Sequence, residues 1–177
     1  QLMIGLPGDT CELDLYSARE TVAISPSIAR LYPTVVIPDT ELHKMFLQGR
    51  YCPMQQEDAI IRTAAMYRIL DSAGINIIRV GLKSSDIING KNMQAGTFHP
   101  AFRQLVEGKI AQEDLDIQLR GCKPNTSVCC VSHPDSFNNM IGHKAVNKKY
   151  FSSAYPDLRI SYKADGNMRK GTYSIKF

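Results

Sequence analysis

Three segments combine residue types that could do chemistry. In the first, Gly5 and Gly8 flank Leu6-Pro7 directly after the apolar run Leu2-Met3-Ile4. Glycine at a strand end lets a ligand approach the backbone closely, and a helix that follows offers unpaired N–H donors. A turn of this composition also joins strand to helix with no ligand involved, so the segment alone leaves both readings open. In the second, Gly96-Thr97-Phe98-His99-Pro100 sets an imidazole between a loop and a helix start. His99 could serve a catalytic site or pack the helix entry, and no second His or carboxylate at ligand spacing makes it a metal ligand. In the third, Gly142-His143-Lys144-Ala145 joins two expected helices, with Lys148 and Lys149 just beyond. A glycine loop between helices can clamp a phosphate backbone, and Lys144, Lys148 and Lys149 would supply charge. The alternative is a small structural α/β unit with solvated lysines.

The cysteines add little chemistry. Cys11, Cys52, Cys122, Cys129 and Cys130 are odd in number and irregular in spacing, which is no disulfide framework and suits a reducing cytoplasm. They form no zinc-ribbon pair and no CxxxCxxC run of the kind that holds a site-differentiated iron–sulfur cluster. We expect no metal site.

The elements that would position these segments alternate. Leu2 to Gly5 reads as a strand, and Asp9 with Glu12 reads as a capping box opening a helix that ends before Ser25-Pro26. A strand over Ile28–Tyr32 is expected to run through Pro33 into Thr34–Ile37, with a short helix from Glu41 to near Gly49. The periodicity of Ile61, Ala65, Ile69, Leu70 and Ala73 predicts a helix over 55–73 with that apolar face, and Asp58, Arg62, Arg68 and Asp71 fall elsewhere on the wheel. Ile75–Leu82 is a β-branched strand, 84–97 an irregular loop and Phe98–Ile110 a helix. Lys123-Pro124-Asn125 marks a boundary. Beyond it come a strand (127–131), a helix from Pro134 or Asp135, a helix near 144–154, and two strands, 158–163 and 172–177. Strands separated by helices point to parallel βα units.

Composition is that of a globular protein, 44% hydrophobic and 21% charged, with no apolar run of the ~18 residues a membrane span needs. The net charge of +4 conceals an asymmetry. Residues 1–119 carry 11 basic against 14 acidic side chains, net −3, and residues 120–177 carry 10 against 3, net +7. The basic end is the better candidate for a polyanionic partner.

Taken in order, MIGLPGDT (3–10), RLYPTVVIPDTELHKMFLQGRYCPM (30–54), INIIRVGLKSSD (75–86) and AGTFHPAFRQLV (95–106) resemble a radical S-adenosylmethionine (SAM) family. The likeness is to bacterial relatives of the elongator catalytic subunit and, more loosely, to oxygen-independent coproporphyrinogen oxidase. It implies that the glycine-bearing strand and the Leu-Tyr-Pro-Thr strand are the fifth and sixth of a partial (β/α)6 barrel, with chemistry at the carboxyl ends of the strands. Carried over, Met3, Ile4, Gly5, Leu6 and Pro7 line the adenine side of SAM, and Tyr32, Pro33 and Thr34 end the neighbouring strand. In the intact enzyme a reduced 4Fe-4S cluster would cleave SAM to a 5′-deoxyadenosyl radical that takes a hydrogen atom from substrate. The cluster-binding cysteines lie upstream in that family and are not in this sequence, so we expect a fragment that is inactive alone and binds neither cofactor. The acetyltransferase domain of true elongator subunits is likewise not here.

The expected fold class is therefore α/β: the C-terminal half of a partial radical SAM barrel over 1–121, then a small basic, KH-like α/β domain over 122–177. The parent would modify tRNA or another nucleic acid. A noncatalytic RNA-binding or assembly module and a radical SAM enzyme acting on a small molecule are the alternatives. The expected partners are the missing N-terminal half of the barrel, RNA, and a second copy through the exposed strand edge, with no membrane.

Overall fold

The computed structural model describes residues 1–84 and 93–177, so the loop expected at 84–97 lies partly outside the described residues. The chain is α/β and divides into two compact units, Gln1–Arg103 and Gln104–Phe177. The sequence placed a boundary at 121/122, after the long helix described below.

In the first unit, β1 (Leu2–Ile4), β2 (Ile28–Pro33) and β4 (Asn76–Val80) form a parallel sheet in the order β1-β2-β4. Leu2 pairs with Leu31, Met3 with Tyr32 and Ile4 with Pro33. Between β2 and β4 the register slips after Ala29, so that Ile77 and Val80 are buried while Ile78 and Arg79 face out. The helices α1 (Cys11–Ile24) and α3 (Gln56–Ser72) pack on each other and cover the face that buries Ile4, Leu31 and Val80. Met3 and Ile78 stay over 40% exposed on the strands.

Local chemistry moves several expected boundaries. The N-cap of α1 is Thr10, whose hydroxyl accepts from Leu13 N, whereas Asp9 accepts from Leu6 N at 2.7 Å and closes the preceding turn. The strand expected to run through Pro33 breaks there. Thr34 N donates to Ile4 O as the last rung, and β3 (Val35–Val36) turns away to pair antiparallel with β5 (Ala95–Gly96). The short helix α2 (Glu41–Leu47) follows, capped by Thr40. The buried face of α3 is also rotated from the expected one. Leu70 is buried as expected, but Ile61 is 41% exposed, and Ala59, Ile60, Thr63, Ala64 and Met66 complete the buried face. Small residues there let α1 approach, with Ala18 fully buried. Thr63 satisfies its hydroxyl by donating to Ala59 O. Arg62, expected off the apolar face, reaches Asp14 at 3.1 Å, and the Asp14 side chain is only 2% exposed. Burial raises the Asp14 pKa, and the Arg62 hydrogen bond opposes that rise.

The helix expected at 98–110 is α4, Phe102–Leu119. Past its first turn it belongs to the second unit, whose sheet runs β7 (Arg159–Ala164), β6 (Ser127–Ser132), β8 (Tyr173–Lys176). β6 is parallel to β7 and antiparallel to β8. Two 3-10 turns and the helices α5 (Phe137–Ile141) and α6 (Val146–Ala154) make the crossover from β6 to β7. The Gln118 amide accepts from Ile175 N and donates to Tyr173 O, filling the outer edge of β8 much as another strand would.

Asp116, also on α4, accepts from Tyr150 Oη at 2.9 Å and Tyr155 Oη at 2.7 Å, and pairs with Arg120. Burial alone would raise its pKa, but hydrogen bonds from Tyr155, Tyr150 and Arg120 outweigh that and hold it below the usual range. Burial, with the Asp116 bond behind it, pushes the Tyr155 phenol up to about 12. A carboxylate with a depressed folded pKa stabilises above its unfolded pKa and ceases to as pH falls through the folded one. We therefore expect Asp116→Asn to melt lower than wild type at neutral pH, with the gap closing below about pH 4. A gap independent of pH in thermal melts would show that the carboxylate charge does not matter.

Candidate functional site

Parallel strands end on one edge of their sheet, so the segments after β1, β2 and β4 share that edge. Gly5 leaves β1 with φ +84°, and a Cβ there would lie 3.2 Å from Met54 Cε. Gly5 O accepts from Tyr51 Oη at 2.6 Å. Tyr51 is 8% exposed, and burial, together with Asp9 and Cys52 nearby, raises its phenol pKa. The bond ties the β1–α1 turn to the α2–α3 connection, residues 48–55.

Between these two segments lies a cavity of about 390 Å³ lined by Gly5 to Asp9, Arg50 to Gln55, Asp58 and Arg62. Its charges are of both signs, with Arg62 already engaged by Asp14. A second cavity of about 400 Å³ shares Cys52–Gln55 and adds Phe46, Gln56 and Ala95–Phe98. Thr97 Oγ1 donates to Met54 O there.

Of the residues expected around SAM, Gly5, Leu6 and Pro7 line the first cavity, and Met3, Ile4, Tyr32, Pro33 and Thr34 do not. Ile4 and Pro33 are buried register partners, whereas Met3 and Tyr32 pair on the more open side of the sheet. Thr34 is 6% exposed, and its hydroxyl is buried without a hydrogen-bond partner among the described residues. His99 Nδ1 accepts from Ala101 N at 3.1 Å, so that nitrogen is occupied at the entry to α4. Sequence reasoning missed Tyr51, Met54 and Gln55. Their only signal was an aromatic two residues before a proline in a connection that the βα alternation carries to the ligand edge.

In the second unit, Lys144, Lys148 and Lys149 are exposed, while Gly142 is buried with φ +80°. A Cβ at Gly142 would come within 2.9 Å of Asn147 Cγ, Asn147 N and Val146 Cγ1. The buried Asn147 amide in turn contacts Gly108 O, Asn139 O and Met140 O. Gly142 is thus required by its own packing, and an acidic substitution there would test folding before it tested any ligand. Lys144 and Ala145 both sit in the left-handed region, at φ 54° and 59°.

Among the described residues no group of three or more His, Cys, Asp or Glu is arranged to hold a metal ion. No described helix is long and apolar enough to cross a membrane.

Residues 26–112 match the family described as the Radical_SAM C-terminal domain. Residues 26–112 are thus similar to a radical SAM C-terminal domain. The chain is also similar to the tRNA uridine(34) acetyltransferase of Methanocaldococcus jannaschii, 37% identical over 62 residues, which is 33% of this chain and 12% of that protein. The protein of the same description from Methanocaldococcus infernus is 36% identical over 62 residues, again 33% of this chain and 12% of the relative. The matched segment begins in the connection that precedes β2, so β1 and the Gly5–Gly8 turn lie outside it.

Left-handed backbone costs an L-residue on the order of 1–2 kcal/mol and glycine almost nothing. Ala145→Gly is therefore expected to raise the stability of the second unit by about 1 kcal/mol in denaturant unfolding. An unchanged or lower midpoint would mean that the loop does not hold Ala145 in this conformation.

Proposed function

We propose that this chain forms part of a radical SAM enzyme that modifies tRNA, with residues 1 to about 121 completing a partial (β/α) barrel and 122–177 forming a KH-like domain. The observation that carries the reading is the cavity at the carboxyl edge of the parallel strands, built on the glycine turn after β1. The family match and the two relatives named for tRNA uridine support the same reading.

The barrel half rests on the order β1-β2-β4, every pair parallel and joined through helices, which leaves β1 with an unpaired outer edge among the described strands. That edge is where the other barrel half, or a second copy of the chain, would add a strand. The KH-like reading rests on the path β6–α5–α6–β7 with Gly142–Ala145 between the helices. Five unbridged thiols suit a cytoplasmic enzyme.

The residues present do not fit a 4Fe-4S cluster, since no three ligands converge among those described. They do fit SAM in kind. Gly5 lacks the Cβ that would narrow the cavity toward Met54, and Asp9 and Asp58 complement a sulfonium and an ammonium group. Arg50, on the same lining, complements a carboxylate. When bound together, SAM and a cluster held by upstream cysteines supply one-electron chemistry for hydrogen-atom abstraction. This chain's part is positioning: the Tyr51–Gly5 bond fixes the turn against the α2–α3 connection, and buried Ile4 and Pro33 hold the strand ends in register.

The test is anaerobic reconstitution with iron and sulfide of the full-length protein and of the 177-residue chain. The full-length protein should show sulfide-to-iron charge-transfer absorbance and cleave SAM faster when tRNA is added, and the 177-residue chain should show no such absorbance. SAM cleavage stimulated by small molecules and indifferent to tRNA would favour the small-molecule alternative. RNA binding with no SAM turnover would leave a noncatalytic module.

A further inference from the structure

Strand register divides the second sheet into two unlike faces. Val128, Cys130 and Ser132 are buried, and their register partners Ile160, Tyr162, Ile175 and Tyr173 share that side. The alternate residues make the other face: Ser127, Cys129 and Val131 on β6, Arg159, Ser161 and Lys163 on β7, Ser174 and Lys176 on β8. Arg159, Lys163 and Lys176 are exposed beside Ser127, Cys129, Ser161 and Ser174, while Val131, the register partner of Lys163, is buried. At the Val131 end the β7–β8 connection passes over the sheet, with Met168 Sδ 3.8 Å from Ser174 Oγ. The Ser127–Cys129–Ser161 end is open.

The face carries no carboxylate from its own strands. Asp165, just past β7, pairs with Lys176 at 2.9 Å. Neither Arg159 nor Lys163 has an ion pair within 4.0 Å among the described residues. The two lie four residues apart on one strand, about 13 Å at the usual rise. Exposed cations held at fixed spacing along one strand, beside serines and a cysteine, suit a polyanion whose charges recur along a line, which is the phosphate backbone of a nucleic acid. A single phosphate or an acidic peptide would be better served by cations converging on one point.

We propose that the outer face of the β7-β6-β8 sheet, through Arg159 and Lys163, is the surface on which the second unit holds the RNA backbone. This rests on the tRNA reading above and places the contact on the sheet, away from the glycine loop and the lysines of α6. The bonds of Gly142 and Asn147 are directed inward, which leaves α6 with solvated lysines and no cradle.

The experiment measures binding of the 177-residue chain to an unmodified tRNA transcript by fluorescence anisotropy across a salt series. Two double variants are compared, Arg159→Gln with Lys163→Gln, and Lys148→Gln with Lys149→Gln. All four side chains are exposed, and thermal melts confirm that each variant folds. The sheet pair should lose on the order of tenfold in affinity at low salt and flatten the slope of log K against log salt by roughly one per residue. The α6 pair should change little. A loss carried by the α6 pair alone, or shared equally by both pairs, overturns the sheet surface while the tRNA reading stands. No binding by the wild-type chain at low salt overturns the sheet surface and removes tRNA contact from this chain altogether.

Discussion

The structure depends on parallel pairing through β2. A parallel pair cannot be closed by a hairpin, so β1 must return through α1 and β2 through α2 and α3 before the next strand joins. That constraint puts the turn after Ile4, the step after Pro33 and the connection before α3 near one edge. The cavity follows from it. Gly5, with no Cβ, lets Met54 approach, and Tyr51 fastens the two connections by one short bond. Without the parallel register the residues that line the cavity would have no reason to meet, since more than forty positions separate Gly5 from Met54 in the chain.

The second unit solves its edges differently. Its sheet has three strands, and β8 is finished by the Gln118 amide. Asp116, two residues earlier on α4, gathers the end of α6 through two tyrosines. Both residues come from a helix preceding the sheet in sequence, which is why α4 divides with the second unit despite lying largely within the matched family segment. Polar groups thus do the organising here, over a core of Val128, Cys130, Met140 and Phe151. Burial pushes the Cys130 thiol up to about 12, which marks that cysteine as core and not a reactive group.

Much of this was legible beforehand. The strands at 2–5 and 75–82 and the helix at 55–73 appear where periodicity and breakers put them, and the strand from Ile28 starts where expected. The errors have specific causes. Asp9 and Thr10 are both good caps, and only the turn that needed Asp9 for Leu6 N decided between them. The face of α3 was misread because Thr63 and Arg62 look polar on a wheel, yet Thr63 satisfies itself along the helix and Arg62 answers a buried Asp14. Helix α4 runs on to Leu119, past the expected end at Ile110, and nothing local announces the tyrosines that receive Asp116. The glycine turn after β1 was visible as a candidate, but Tyr51, Met54 and Gln55 were not, since residues in a connection declare a site only once the topology has placed it.

The claim on which the account turns is that SAM sits at the carboxyl edge of the first sheet, over the glycine turn. Hydrogen–deuterium exchange of the cluster-reconstituted full-length enzyme, with and without SAM, tests it most directly. The account predicts added protection at residues 5–9 and 50–55, with the core of β6 unchanged. Protection that leaves both segments untouched while SAM is demonstrably bound would contradict it.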